Sequence, residues 1–159
     1  MTDARIRALA PEDADACDEI VAGLPYHFGH EQGRRDCAQA VRRDAGLVAV
    51  QGGEVLGFLT YVHRFDEAAE ITWMAVRADR RRGGIGHALI DRLVEQLSAE
   101  GRRVLLVLTV SPSDHGDEPE GGYASTRAFY RSAGFVLGRD LRGEWDSDTA
   151  VVMVRMLAT

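Results

Sequence analysis

The residues best suited to chemistry lie mid-chain, in Ala69-Glu70-Ile71-Thr72-Trp73-Met74-Ala75-Val76-Arg77-Ala78-Asp79-Arg80-Arg81-Arg82-Gly83-Gly84-Ile85-Gly86-His87-Ala88-Leu89. The stretch reads as a strand, an arginine- and glycine-rich turn, and a helix. At such a helix start, backbone N–H groups without helical partners point outward with the positive end of the dipole, and glycines let an anion approach the main chain. Arg80, Arg81 and Arg82 beside Gly83-Gly84 add charge that favours a diphosphate over a lone carboxylate. Two blander readings stand beside this one: a solvated arginine turn, and tight helix packing at Gly84-x-Gly86. A dinucleotide turn is the nearest competitor. However, Leu89 takes the place of the third glycine in Gly-x-Gly-x-x-Gly, and the following strand ends in Val110-Ser111 where an acidic residue is needed.

Other chemistry-bearing residues form weaker sets. His27, His30 and Cys37 make an incomplete set of metal ligands. Ser113-Asp114-His115 lacks a nucleophile elbow, and Gly-x-Ser-x-Gly is absent from the chain. Every basic residue other than histidine is arginine, which excludes a lysine Schiff base and a phosphate loop ending in Gly-Lys-Ser/Thr.

The elements that position these residues follow from periodicity that switches between two and 3.6 residues along the chain. Arg5 to Leu9 reads as a strand, and Pro11 opens a helix with apolar Ala14, Cys17, Ile20, Val21 and Leu24. A polar second helix covers Glu31 to Asp44. Strands Leu47 to Gln51 and Glu54 to His63 follow, joined by Gly52-Gly53, a pair suited to a tight hairpin. Glu70 to Arg77 is a fourth strand, Gly84 to Ala99 an amphipathic helix, and Arg103 to Val110 a fifth strand, apolar on both faces and therefore expected to be central. Ser111 to Gly122 is a loop by composition, Tyr123 to Ala133 a helix ended by Gly134, and Phe135 to Leu141 and Thr149 to Leu157 are closing strands.

In this context Arg81-Arg82-Gly83-Gly84-Ile85-Gly86 resembles the Arg/Gln-x-x-Gly-x-Gly/Ala acyl-CoA signature of the GNAT superfamily of N-acetyltransferases. Ser125-Thr126-Arg127-Ala128-Phe129-Tyr130-Arg131-Ser132-Ala133-Gly134-Phe135 is similar to that family's Phe/Leu-Tyr-x-x-x-Gly-Phe ending. The resemblance implies one N-acetyltransferase domain over residues 1–159, of α/β (α+β) class, with a central mixed, mostly antiparallel sheet flanked by about four helices. It implies acetyl-CoA as acyl donor and no metal. The backbone N–H groups of Arg82, Gly83, Gly84, Ile85, Gly86 and His87, with Arg81, would hold the CoA pyrophosphate. The main chain of Met74, Ala75 and Val76 would pair with the pantetheine arm like an added strand. The chain departs from the family at Tyr123, which stands where many members carry asparagine. Ser125 or a water is the expected substitute contact to pantetheine.

Acetyl transfer from a thioester to an amine needs a group that removes the amine proton, a donor for the oxyanion and an acid for the departing thiolate. An alkyl amine has a pKa of about 10.4, and a nearby carboxylate could accept its proton directly or through water. Glu70, on the strand expected to hold the donor, is the candidate base for direct attack. A phenol near 10 suits protonation of a thiolate of pKa about 8.5, which makes Tyr130 the candidate acid. A backbone N–H near Met74 to Val76 would meet the oxyanion. The plain alternatives are a solvated carboxylate at a strand end for Glu70 and a core aromatic for Tyr130.

The chain has 159 residues, a net charge of -6 and no sustained basic excess, which argues against nucleic-acid partners. No apolar run approaches the ~20 residues of a membrane span, and no apolar segment follows a basic start, so a cytoplasmic protein is expected. Cys17 and Cys37 read as buried or incidental thiols. The acceptor is expected to be a small amine-bearing or cationic molecule, met by Tyr26, His27, Phe28 and Trp145. Asp66 and Glu67, and Asp114, Asp117, Glu118 and Glu120 of the loop, would attract its charge. The strand Ala150 to Leu157 offers an edge for pairing in a homodimer. Two other classes stay open: a non-catalytic acetyl-CoA-binding module and an NAD-dependent oxidoreductase.

Overall fold

The computed structural model describes residues 3–113, 123–146 and 148–158. Its strands are β1 (Arg5–Ala8), β2 (Ala45–Gln51), β3 (Glu54–Phe65), β4 (Ala68–Val76), β5 (Val104–Val110), β6 (Val136–Leu141) and β7 (Ala150–Met156). Its helices are α1 (Ala14–Ala22), α2 (Glu31–Arg43), α3 (Ile85–Ala99) and α4 (Tyr123–Ser132). The expected order of strands and helices is met, with end points shifted by one to three residues. The chain divides into two compact units, Met1–Val62 with Ile71–Gln96, and His63–Glu70 with Leu97–Thr159.

In the first unit the strands run in the order β1-β2-β3-β4, and β1/β2 and β2/β3 are antiparallel. Gly52 and Gly53 turn between β2 and β3 with φ of +58° and +82°, the left-handed pair that a two-residue hairpin requires. The hydroxyls of Thr60 and Thr72 meet at 2.8 Å and help tie β3 to β4. One core cluster gathers Cys17, Ile20 and Val21 of α1 and Cys37 and Val41 of α2 on Val48, Phe58 and Ala75 of the strands. The 3.6-residue spacing of these positions builds that layer.

Pro11 opens a single 3-10 turn, Pro11–Asp13, and the α-helix begins only at Ala14. Asp13 explains the delay. Its carboxylate accepts the Ala10 N–H at 2.8 Å and both Arg7 terminal nitrogens at 2.8 and 2.9 Å, pinning β1 to the turn.

In the second unit the order is β5-β7-β6, and both pairings are antiparallel. One expectation is corrected here: β7 is hydrogen-bonded on both sides, to β5 and to β6, so it has no edge left for pairing with another chain. β5 is an interior strand of the order, as expected; Leu105, Val107 and Val110 are enclosed, whereas Val104, Leu106 and Leu108 are half-exposed.

Candidate active site

The arginine and glycine turn sits between β4 and α3 in the first unit. β4 ends at Val76, a 3-10 turn covers Ala78–Arg80, and Arg81 is extended. Arg82 then adopts φ +65° and Gly84 φ +82°, and Arg82 is the one non-glycine residue with positive φ among the described residues. This conformation costs an L-residue about 1–2 kcal/mol. Backbone that passes through left-handed residues turns successive N–H groups toward one side and forms an anion-binding concavity. The first bond of the α3 ladder runs from Ala88 N–H to the Gly84 carbonyl at 3.0 Å, so the Ile85 and Gly86 amides face out of the helix end.

The neighbouring side chains suit a diphosphate. Arg77 is tied to Asp79 at 2.8 Å and to Glu54 at 3.1 Å, and Arg80 donates to Gln51. Arg81 is exposed and makes no hydrogen bond or ion pair among the described residues. Burial, aided by the charge of Arg81, holds the His27 imidazole below its ordinary value. Gly57 on β3 sets the spacing beneath the turn. A Cβ there would stand 3.1 Å from both the Ala75 carbonyl oxygen and Ile85 Cγ2, tighter than ordinary packing. The bare backbone lets β3, the Ala75–Val76 end of β4 and the start of α3 close up. Met74 and Val76 are half-buried on one side of β4, and Ala75 is buried on the other. The residues present therefore fit the pyrophosphate end of CoA.

The second unit holds the two candidate catalytic side chains. Glu70, near the start of β4, is largely covered at 15% exposure and accepts a hydrogen bond on Oε1 from Arg64 Nε at 2.9 Å. Tyr130 is 7% exposed on α4 and lies edge-on to Phe129 and Phe135, with ring centroids 5.3 and 5.5 Å away. Burial pushes its phenol well above the ordinary value, so the hydroxyl keeps its proton. No hydrogen bond links Glu70 to Tyr130 among the described residues.

The remaining expected residues are dispersed. Ser125 is exposed and Tyr123 half-buried on the first turn of α4. Tyr26 and Trp145 are exposed, but Phe28 is buried against Trp73, with centroids 6.0 Å apart. Phe28 is thus a core residue and not an acceptor contact. The carbonyls of Phe65 and Asp66 accept from Arg102 Nη1 at 3.0 and 2.8 Å, and the Glu67 carbonyl accepts the Arg103 N–H at 2.7 Å. Asp114, His115, Asp117, Glu118 and Glu120 lie outside the described residues. Both cysteines are buried free thiols, pushed up to about 12 chiefly by desolvation.

Three features carry no clear signature in the sequence. Arg64 engages the candidate base; its only sequence signal is an opposite charge six residues away across a hairpin. Arg127 is buried and donates to the Val110 carbonyl at 2.6 Å. Asp140 accepts from Ser111 Oγ at 2.5 Å and from Ser113 Oγ at 2.6 Å, and these hydroxyls hold its carboxyl below the usual range. That network engages the serine that a hydrolase triad would have used.

Comparison with known proteins identifies the family and the fold. Residues 42–137 match the acetyltransferase (GNAT) domain family. A GNAT-family protein from Desulfovibrio desulfuricans superposes with a TM-score of 0.83 at 21% identity, covering 98% of this chain and 99% of that one. The ribosomal-protein-S18-alanine N-acetyltransferase of Escherichia coli gives 0.75 at 21% identity over 98% and 95%. An aminoglycoside 6'-N-acetyltransferase complexed with coenzyme A gives 0.74 at 14% identity over 98% of each chain. No curated protein sequence matches. With an α/β fold of seven mostly antiparallel strands and four helices among the described residues, the chain belongs to the GNAT family of acetyltransferases, acyltransferases whose acyl donor is acetyl-CoA.

Proposed function

We propose that the chain acetylates a primary amine of a small, cationic molecule, with Glu70 as general base and Tyr130 as general acid. The observation that carries the donor half is the left-handed turn at Arg82 and Gly84 ahead of α3. Arg81, Arg82 and the amides of Gly83 to His87 would hold the pyrophosphate. The main chain of Met74 to Val76 would hold the pantetheine arm, and Ser125 would add a contact in place of the missing asparagine. When bound, acetyl-CoA supplies the activated acetyl group.

Glu70 supports the base role because it is nearly enclosed and Arg64 fixes its Oε1, which leaves Oε2 to receive the amine proton directly or through one water. Tyr130 carries a phenol O–H on α4 that can donate a hydrogen bond to a departing thiolate; burial raises its pKa, which keeps the proton on the phenol in the resting enzyme and weakens it as an acid, so the role rests on its position. A small-molecule acceptor is in keeping with the aminoglycoside acetyltransferase among the structural neighbours. The S18-alanine enzyme, which acts on a protein, marks the competing acceptor class. The Arg64–Glu70 ion pair also suits a second reading, an acetyl-CoA-binding module that transfers nothing.

Thiol release from acetyl-CoA, followed with cationic, neutral and anionic small amines and with short peptides, separates these readings. Turnover with cationic small amines that falls on Tyr130→Phe and Glu70→Gln is expected. Turnover only with anionic amines or only with peptides would overturn the acceptor assignment. Release at background with every amine would leave the binding module.

A further inference from the structure

In the second unit α4 departs from the pattern of an ordinary amphipathic helix. Its two buried residues are Tyr130 and, three positions earlier, Arg127. A helix face turned toward a core normally carries an aliphatic residue at such a place. Burying a guanidinium costs desolvation that a leucine would avoid, so the contact it makes must offset that cost. Among its contacts, Arg127 Nη1 donates to the Val110 carbonyl at 2.6 Å, a short, charge-assisted bond. The planar guanidinium also gives the bond a direction that a lysine ammonium lacks.

Both ends of this bond belong to well-tied structure. Val110 is buried at the end of β5, in register with Ala150 of β7. The next residue continues the pairing, the Ser111 N–H donating to the Thr149 carbonyl at 2.8 Å, and its hydroxyl donates to Asp140. The far end of α4 is tied separately. Arg155 Nη1, from β7, donates to the Ala133 carbonyl at 2.6 Å, and a Cβ on Gly134 would stand 3.3 Å from Arg155 Nε. Two arginine bonds therefore bracket Tyr130, one three residues before it and one three residues after.

We propose that Arg127 is a positioning residue for Tyr130, fixing the roll of α4 on β5 and with it the place of the phenol oxygen during acetyl transfer, a role that rests on the reading of Tyr130 as general acid. A tie at the end of a helix leaves it able to roll about its axis. A second tie, from the buried face to a strand, stops the roll. Residues three apart share one helix face, so what fixes Arg127 fixes Tyr130. A roll of about 10° carries an atom at the ~6 Å outer radius of a helix through about 1 Å. A displacement of about 1 Å costs up to about a hundredfold in rate. Burial leaves the phenol a weak acid, which makes its placement decisive.

One test is independent of turnover. In chain labelled with fluorotyrosine, the four tyrosines give four fluorine resonances, and the one lost in Tyr130→Phe belongs to Tyr130. Arg127→Gln and Arg127→Met, which both lose the bond to Val110, are expected to shift or broaden that resonance. An unmoved Tyr130 resonance in either folded variant overturns the inference. The second test follows thiol release from acetyl-CoA with putrescine, a small aliphatic diamine, as the probe amine. Arg127→Gln is expected to lower kcat about tenfold with KM for acetyl-CoA unchanged, and Arg127→Lys to recover part of the loss. In a Tyr130→Phe background Arg127→Gln should cost nothing further, the non-additivity of two residues that act as one unit. An equal loss in both backgrounds overturns the inference, because a merely structural arginine acts whether or not the hydroxyl is there. A Tyr130→Phe variant that turns over like the wild type removes the acid role itself, and the positioning role with it.

Discussion

Arg64 Nε donates to Glu70 Oε1 at 2.9 Å, joining the end of β3 to the start of β4 across the Asp66–Glu67 turn. A carboxylate that must meet an amine at a defined place gains from such a fixed partner, because general-base catalysis depends on position before basicity. Glu70→Gln is expected to lower kcat by roughly 10²- to 10³-fold while acetyl-CoA binds as before. Arg64→Gln is expected to lower kcat less, with KM for acetyl-CoA unchanged. Steady-state kinetics with any accepted amine checks both, and an unchanged kcat in Glu70→Gln would remove Glu70 from the mechanism.

Tyr130→Phe removes one hydroxyl from an aromatic cluster and leaves the ring contacts with Phe129 and Phe135. The fold should therefore persist while turnover drops by at least about tenfold. Burial raises the folded phenol's pKa, whereas in the unfolded chain it ionises near 10. Its contribution to stability is therefore complete below about pH 10 and is lost as pH rises beyond that. Denaturant titrations above and below this pH, on wild type and Tyr130→Phe, should show the alkaline loss in the wild type and a smaller one in the variant.

Gly84→Ala tests the cradle. At φ +82° an alanine is strained by about 1–2 kcal/mol, and the variant should melt lower. The displaced amides should also weaken acetyl-CoA, measured by calorimetry, more than they weaken binding of a pantetheine fragment lacking the phosphates. Equal weakening of both ligands would count against a pyrophosphate site.

Much of this was legible in the sequence because it depends on local pattern. Gly52-Gly53 specifies its turn, the spacing of Cys17, Ile20 and Val21 specifies a helix face, and Arg81 to Gly86 announces a glycine-rich turn into a helix, found with Arg82 and Gly84 at positive φ. What was not legible depends on pairings distant in sequence. The apolar run of β5 suggested two buried faces, yet only the register with β7 and the burial of each residue reveal that one face is half-open. The type of Phe28 suggests a ligand contact, whereas its ring packs on Trp73, a partner 45 residues away along the chain. The hydroxyl partners of Asp140 lie 27 and 29 residues away along the chain, beyond the reach of any local rule.

The Arg7–Asp13 pair sets the acid stability of the first unit. The two guanidinium bonds, with help from the Ala10 amide, hold the Asp13 carboxyl below its ordinary range. With an unfolded value near 3.9, the contribution is complete above about pH 4 and is lost as pH falls from there through the folded value. Asp13→Asn is expected to cost about 2 kcal/mol at neutral pH and to flatten the acid limb of the stability curve, as followed by urea denaturation.

The most direct test of the central claim, that the turn at Arg81 to Gly86 holds acetyl-CoA, is the melting temperature with and without that ligand, with NAD as control. At a hundredfold excess over Kd a native-state ligand adds about 2.7 kcal/mol, or roughly 5 to 10 °C for a chain of this size. The account predicts a rise of this order with acetyl-CoA and none with NAD. No rise with saturating acetyl-CoA, or an equal rise with NAD, would contradict it.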